Sequence, residues 1–343
     1  MTTLRRLSWA TLVLAFGHIV FGAIVRITGS GMGCGEHWPQ CHGYWFPPLS
    51  RPDLIIEVSH RYLAATLTAA ILWCVAYAWR KRSEAGVGGA GGVLRPLVLA
   101  AGLVVAAALL GAATVFLALA NKWVIVTHLA IAMSLLGALV VAVVRAGGPP
   151  RIPRYATDAA VPSPFERLPD HSIAAGIWHT SRSTVRGAYA AAAIGFVTLV
   201  LGALTAHIPG ANSACTNFPL CADGILPTDP SQNLQLAHRL FAFALAFHLI
   251  GMAFLTKRRG EHGMGRLALL TVLATLAQVV IAAIMVELQL PAVWRSLHEA
   301  AGTLAWIAIC FMTYGAHAMA SSAGSPAPER ASSTPSLPSG ARA

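Results

Sequence analysis

Long apolar runs separated by short polar stretches dominate the chain. Eight of them, at roughly residues 9–27, 54–79, 94–120, 123–145, 187–207, 233–256, 265–287 and 293–319, can cross the hydrocarbon core of a bilayer, which takes ~20 residues. They lack the strict alternation of a barrel strand, and backbone groups in lipid have to be satisfied inside the segment, so each run predicts a helix. The expected fold class is an all-α polytopic membrane protein. Four spans per half is an even number, so both halves enter the membrane in the same sense. They are expected to form two four-helix bundles related by a pseudo-twofold axis along the membrane normal. The expected division is 1–145 for the N-terminal bundle, 146–185 for a Pro-, Arg- and Ser-bearing linker, 186–320 for the C-terminal bundle, and 321–343 for a disordered Ser/Pro/Ala-rich tail.

Composition agrees with a lipid solvent: 56% of residues are hydrophobic and 11% are charged. The net charge of +11 would suit a nucleic-acid partner, but its placement argues against one. Arg5, Arg6, Arg80, Lys81, Arg82, Arg95, Arg145, Arg151, Arg154, Arg167, Arg182, Arg186, Lys257, Arg258, Arg259 and Arg266 all fall on one side of this topology, and the opposite loops carry little beyond Arg51, Lys122 and Arg295. The basic side is the cytoplasmic one, so both termini are expected inside. Arg5 and Arg6 precede an apolar stretch, as in a secretory signal. No small-residue cleavage site follows before Arg26-Ile27-Thr28-Gly29, so this stretch is expected to stay as a helix.

The chain also repeats itself. Glu57-Val58-Ser59-His60-Arg61 recurs as Gln235-Leu236-Ala237-His238-Arg239, and each copy follows an outward loop with two cysteines. Of thirteen histidines, four occupy corresponding places: His60 and His238 near the outer ends of the second and sixth spans, His128 and His298 near those of the fourth and eighth. Each half thus offers one facing pair. Imidazole is a good axial ligand for haem iron, and polar groups within spans are functional candidates. Arg61 and Arg239 are candidates to pair with haem propionates. Zinc would want more protein ligands than two, and His37 and His42 beside Cys34 and Cys41 do not make a strong zinc spacing. His18, His207, His248 and His317 have no counterpart in the repeat and are expected to be ordinary interfacial or hydrogen-bonded residues.

Both loops carry an aromatic-Pro-x-Cys pattern, Trp38-Pro39-Gln40-Cys41 and Phe218-Pro219-Leu220-Cys221. On the outer side disulfides persist, so Cys34–Cys41 and Cys215–Cys221 are expected bridges, as staples or as a redox pair. Cys74 and Cys310 are expected to pack within spans. Gly29-Ser30-Gly31-Met32-Gly33 lacks the Lys-Ser/Thr of a phosphate loop and is expected to be a flexible turn. Glu57 stands three residues before His60, on the same helical face, where a carboxylate moves protons or stabilises developing positive charge. Gln235 keeps the hydrogen bonding and loses the titratable group, which assigns reaction to the first half and a retained electron-transfer cofactor to the second.

Taken together, Gly22-Ala23-Ile24-Val25-Arg26-Ile27-Thr28-Gly29-Ser30-Gly31, the Cys34…Trp38-Pro39-Gln40-Cys41-His42-Gly43 loop, Glu57-Val58-Ser59-His60-Arg61, the four histidines and Cys215-Thr216-Asn217-Phe218-Pro219-Leu220-Cys221 resemble the haem A synthase family over all eight spans. The family's first loop usually reads Cys-Pro-Asp-Trp-Pro-x-Cys, and this one is a residue longer. The resemblance implies oxidation of the C8 methyl of haem O to a formyl group, giving haem A for cytochrome oxidase. It implies His60 and His128 flanking the substrate haem, Glu57 as the catalytic carboxylate, and His238 and His298 ligating haem b. Dioxygen or water would be the oxygen source. The implied setting is a bacterial cytoplasmic membrane, with haem O synthase, oxidase assembly factors and an electron donor as partners. Two other classes use parts of the pattern. A dihaem b-type electron-transfer cytochrome needs both histidine pairs but not Glu57, and a membrane thiol-disulfide exchange protein places function in the cysteines.

Overall fold

The structure, a computed structural model, describes residues 1–148, 180–221, 227 and 229–323. Among these residues the regular structure is helical, apart from one isolated bridge between Cys41 and Tyr44. Eight long helices follow in order: α1 (Thr2–Ile27), α2 (Pro52–Arg80), α3 (Leu94–Phe116), α4 (Lys122–Arg145), α5 (Arg182–His207), α6 (Pro230–Arg258), α7 (His262–Glu287) and α8 (Ala292–Ala323). Most of the expected linker and tail lies outside the described residues.

Seven of these, α1 to α7, are long and apolar enough to cross a membrane. The eighth expected span is a helix too, α8, which carries Arg295, His298, Glu299, Thr303, Thr313, Tyr314 and His317 along an otherwise apolar run. It packs against α1, α4, α5 and α7, so much of its surface meets protein and not lipid. Large apolar side chains such as Trp73, Leu109, Phe247 and Leu270 are exposed on the other helices, as a hydrocarbon solvent requires.

Local chemistry sets the helix ends. Both α2 and α6 open with proline at their first position, Pro52 and Pro230, where the missing N–H costs nothing. The Asp229 side chain caps α6 by accepting from Ser231 N–H at 2.9 Å. The helix α5 begins at Arg182, five residues before the expected span. The Ser181 side chain caps it through Thr184 N–H, and buried Glu261, at the corner before α7, accepts from Thr180 and Thr184 hydroxyls at 3.0 and 3.1 Å. The third span ends at Phe116 and not near 120. Leu119 N–H reaches back to Thr114 O and Ala118 N–H to Val115 O, both 2.9 Å, a Schellman end whose left-handed residues close the helix. The corner after α7 repeats it, with Leu290 N–H on Met285 O and Gln289 N–H on Val286 O.

In the first half α1 packs on α2 and α4, and α3 on α2 and α4; in the second α5 packs on α6 and α8, and α7 on α6 and α8. Contacts of α8 with α1 and α4, and of α4 with α5, join the halves. A single apolar core runs through both, including Leu67, Ile71, Met133, Leu136, Leu249, Met252, Ile309 and Met312. Trp306 Nε1–H donates to Met133 O at 2.8 Å across the junction.

Candidate functional site

The four repeated histidines stand at matched depths. His60 and His238 each lie eight residues after the opening proline of their helix, and His128 and His298 each lie six after the first residue of theirs. Within each half one histidine lies on α2 or α6 and the other on α4 or α8, helices joined by their shared neighbours α1 and α3, or α5 and α7. Small residues on neighbouring helices make room for the rings. A Cβ at Gly22 would stand 2.8 Å from His60 Nε2, one at Gly202 2.9 Å from His238 Cε1, and one at Gly111 3.4 Å from His128 Cε1.

Hydrogen bonds decide which ring nitrogen is free. His238 Nδ1 lies 3.0 Å from Thr198 O and His128 Nδ1 2.8 Å from Ala107 O. A carbonyl only accepts, so each Nδ1 carries the proton and Nε2 keeps the lone pair a metal needs. His298 Nδ1 sits 2.9 Å from the Gln278 amide, whose Oε1 is buried without a partner. Turning that amide puts Oε1 on Nδ1–H and frees Nε2 of His298 in the same way. The second-half pair therefore fits axial ligation of a haem iron on its own hydrogen-bond chemistry.

Above each pair sits a disulfide loop, Cys34–Cys41 and Cys215–Cys221, with Cα–Cα distances of 4.7 and 4.6 Å. The bridge takes the thiolates that zinc would need at Cys34 and Cys41. His37 and His42 turn instead to backbone carbonyls of Cys34 and Gly33. The glycine-rich run before the first loop is a turn, as expected. Gly29 adopts φ 70°, a 3-10 turn covers Ser30–Met32, and buried Ser30 bonds Thr28 at 2.8 Å. Gly210 at φ 79° and the 3-10 turn Ala211–Ser213 match it in the second half.

Glu57 and Gln235 hold these loops from below. Cys34 N–H donates to Glu57 Oε2 at 2.8 Å, and Cys215 N–H donates to Gln235 Oε1 at 2.7 Å. The other Glu57 oxygen receives Arg61 Nη2 at 2.5 Å, so the buried carboxylate is anchored on both sides. The arginines serve as loop clamps. Arg61 donates to the carbonyls of His37, Pro39 and Gln40, and Arg239 to those of Cys215, Asn217, Pro219 and Leu220.

Among histidines expected to be ordinary, three have ordinary partners: His207 bonds Ala203 O, His248 bonds Gly187 O and His317 bonds Tyr189. His18 does not behave this way. Its ring lies 4.3 Å from that of His60, inside the first-half site. Its lack of a repeat counterpart, taken as a mark of an ordinary residue, was the available signal that the two sites differ. Gly22, Gly111, Gly202 and Gln278 were also missed, since each acts only through a histidine that tertiary packing brings to it.

Comparison with known proteins decides the family. Residues 5–310 match the family described as cytochrome oxidase assembly protein, COX15-CtaA. The chain belongs to this family. Its relatives include proteins named "Heme A synthase" from Geobacillus kaustophilus, 28% identical over 292 residues that cover 83% of this chain and 84% of the relative, and from Bacillus pumilus, 29% identical over 71% of each. A third, from Staphylococcus aureus, is 28% identical over 73% of this chain and 75% of its own length. The family match covers all four paired histidines, both disulfide loops and Glu57.

Proposed function

We propose that the protein is a haem A synthase, a multi-pass membrane oxidoreductase that converts the C8 methyl of haem O to a formyl group in cytochrome oxidase assembly. The observation that carries this reading is a duplicated bis-histidine site in which one copy has the buried carboxylate Glu57 and the other has Gln235 at the same place, in a chain of this family. A dihaem electron-transfer cytochrome leaves that asymmetry without a purpose. A thiol-disulfide protein leaves the paired histidines without one.

The first half takes the substrate. His60 and His128 flank the haem O iron, and the two halves form pseudo-twofold-related four-helix bundles with both termini cytoplasmic and the disulfide loops outside. The contacts within each half and the one-sided basic residues support this arrangement. In the second half His238 and His298 hold haem b, with Thr198 O and Gln278 fixing their tautomers. When bound, haem b supplies one-electron transfer. Two successive two-electron oxidations, with dioxygen as the final oxidant and dioxygen or water as the source of each added oxygen, would carry the methyl through the alcohol to a gem-diol, which loses water to give the aldehyde. Glu57, on the face of α2 that bears His60, accepts protons released as the methyl is oxidised, and Arg61 keeps the carboxylate in position. The loop backbone around Cys34 connects that carboxylate to the outer surface.

The deciding experiment is extraction and chromatographic identification of the haems from protein purified out of cells that also make haem O. Haem b together with haem O or haem A supports the synthase. Haem b alone, at two per chain, supports the electron-transfer cytochrome. Absence of haem turns attention to the cysteine loops.

A further inference from the structure

The two histidine sites differ in how the helix α2 or α6 histidine is held. In the second half, His238 is tied through Nδ1 to the carbonyl of Thr198, four residues before Gly202 on α5. The matching residue on α1, four before Gly22, is His18. His60 takes no such bond, and among the described residues neither of its ring nitrogens has a hydrogen-bond partner. It packs instead against the His18 ring, with planes 31° apart, and Phe21 flanks it at 6.3 Å. Its Nε2 faces the α1 backbone at Gly22, whereas His238 turns Cε1 to Gly202. His18 Nδ1 is buried without a partner. One site therefore has a histidine locked by a fixed carbonyl, and the other has a histidine resting on a second imidazole with spare hydrogen-bonding capacity.

We propose that His18 is a positioning residue that makes His60 the exchangeable axial ligand of the substrate iron. This rests on the haem A synthase reading, in which an iron held by His60 and His128 together has no open position. A neutral imidazole has one donor and one acceptor, so His18 serves both positions of its neighbour. With His60 on the iron, His60 Nδ1–H donates to the unprotonated nitrogen of His18. With His60 withdrawn toward Gly22, a turn of the His18 ring out of its stacked position would bring its N–H onto the freed Nε2 lone pair, with no net proton gained or lost. A carbonyl, as at Thr198, can only accept. It stabilises the ligated tautomer and offers nothing to a released Nε2, which would otherwise be a buried acceptor without a donor. His128, tied to Ala107 O, is the fixed ligand.

The test uses carbon monoxide on the whole protein purified with haem O bound and reduced without oxygen, comparing it with His18→Leu and His18→Asn. Haem b, locked on both faces, serves as an internal control for folding through its unchanged spectrum. His18→Leu should keep haem O but slow carbon monoxide binding to it by about tenfold, the scale expected when a buried acceptor loses its donor. His18→Asn, which retains a donor and an acceptor, should recover most of the rate. Binding in His18→Leu within about twofold of the unsubstituted protein overturns the proposal, as does loss of haem O from both variants, which would make His18 part of the pocket wall or a ligand. Failure of the synthase reading looks different: the unsubstituted protein would then carry haem b at both sites and no haem O.

Discussion

Glu57 and Gln235 take the same bond from the first cysteine of the loop above them, so the structure separates a shared mechanical task from a charge that only one half possesses. Glu57→Gln keeps the mechanical task. It should therefore leave the fold and haem b in place while lowering haem A formation by about a hundredfold or more, the range of general acid-base contributions. Chromatography of extracted haems reads this directly, and undiminished haem A would reduce Glu57 to a loop anchor. Glycine matters at this scale where a ring meets a backbone. A methyl at Gly202 would stand 2.9 Å from His238 Cε1, so Gly202→Ala has to move the ring off Thr198 O. Haem b affinity should drop by about 10–100-fold, as when an outer hydrogen bond to a metal ligand is lost, visible as a reduced haem b content. His60, His128, His238 and His298 were legible because duplication printed them twice, and Glu57 because its copy, Gln235, differs. His18, Gly22 and Gln278 were not, because each matters through a neighbour from another helix.

At the scale of elements, apolar run length predicted the helices well, and the misses lie at their ends. Helix α5 starts early because Ser181 and Glu261 supply capping oxygens, and a hydropathy pattern does not register an oxygen arriving from a different corner. Helices α3 and α7 stop where Ala118, Leu119, Gln289 and Leu290 adopt φ between 47° and 63°. Nothing in those side chains asks for a left-handed backbone, so the corner is imposed by the packing of α3 on α4 and α7 on α8. Gln289 is exposed, and the left-handed backbone costs a non-glycine residue about 1 kcal/mol. Gln289→Gly should therefore raise stability by up to about 1 kcal/mol, and Gln289→Val should lower it, because a β-branched residue is disfavoured there. Thermal unfolding of the haem-loaded protein in detergent measures both, and a lower midpoint for the glycine variant would contradict this account of the corner.

At the scale of the molecule, the halves are held to each other by few polar contacts set in a shared apolar core. Arg26 of α1 pairs with Glu299 of α8 at 2.5 Å, beside His298, Trp306 donates to Met133 O, and Arg145 Nε donates to Tyr314 at 2.7 Å. The Arg26–Glu299 pair is partly exposed, which limits its worth to about 1 kcal/mol. Reversing either charge alone should loosen the junction, and Arg26→Glu with Glu299→Arg should restore most of the loss. A thermal-stability double-mutant cycle would show the coupling, and additive losses would show that the two charges do not act as a pair. The sequence by itself determined the membrane solvent, the helix count, the internal duplication and the four paired histidines, because each is a matter of local run length or of a motif written twice. Only the tertiary structure decided that Arg61 and Arg239 clamp loop carbonyls, that α8 sits among four other helices, and that His18 lies against His60. Those outcomes depend on which helices become neighbours and how they are rotated, and long-range packing sets both.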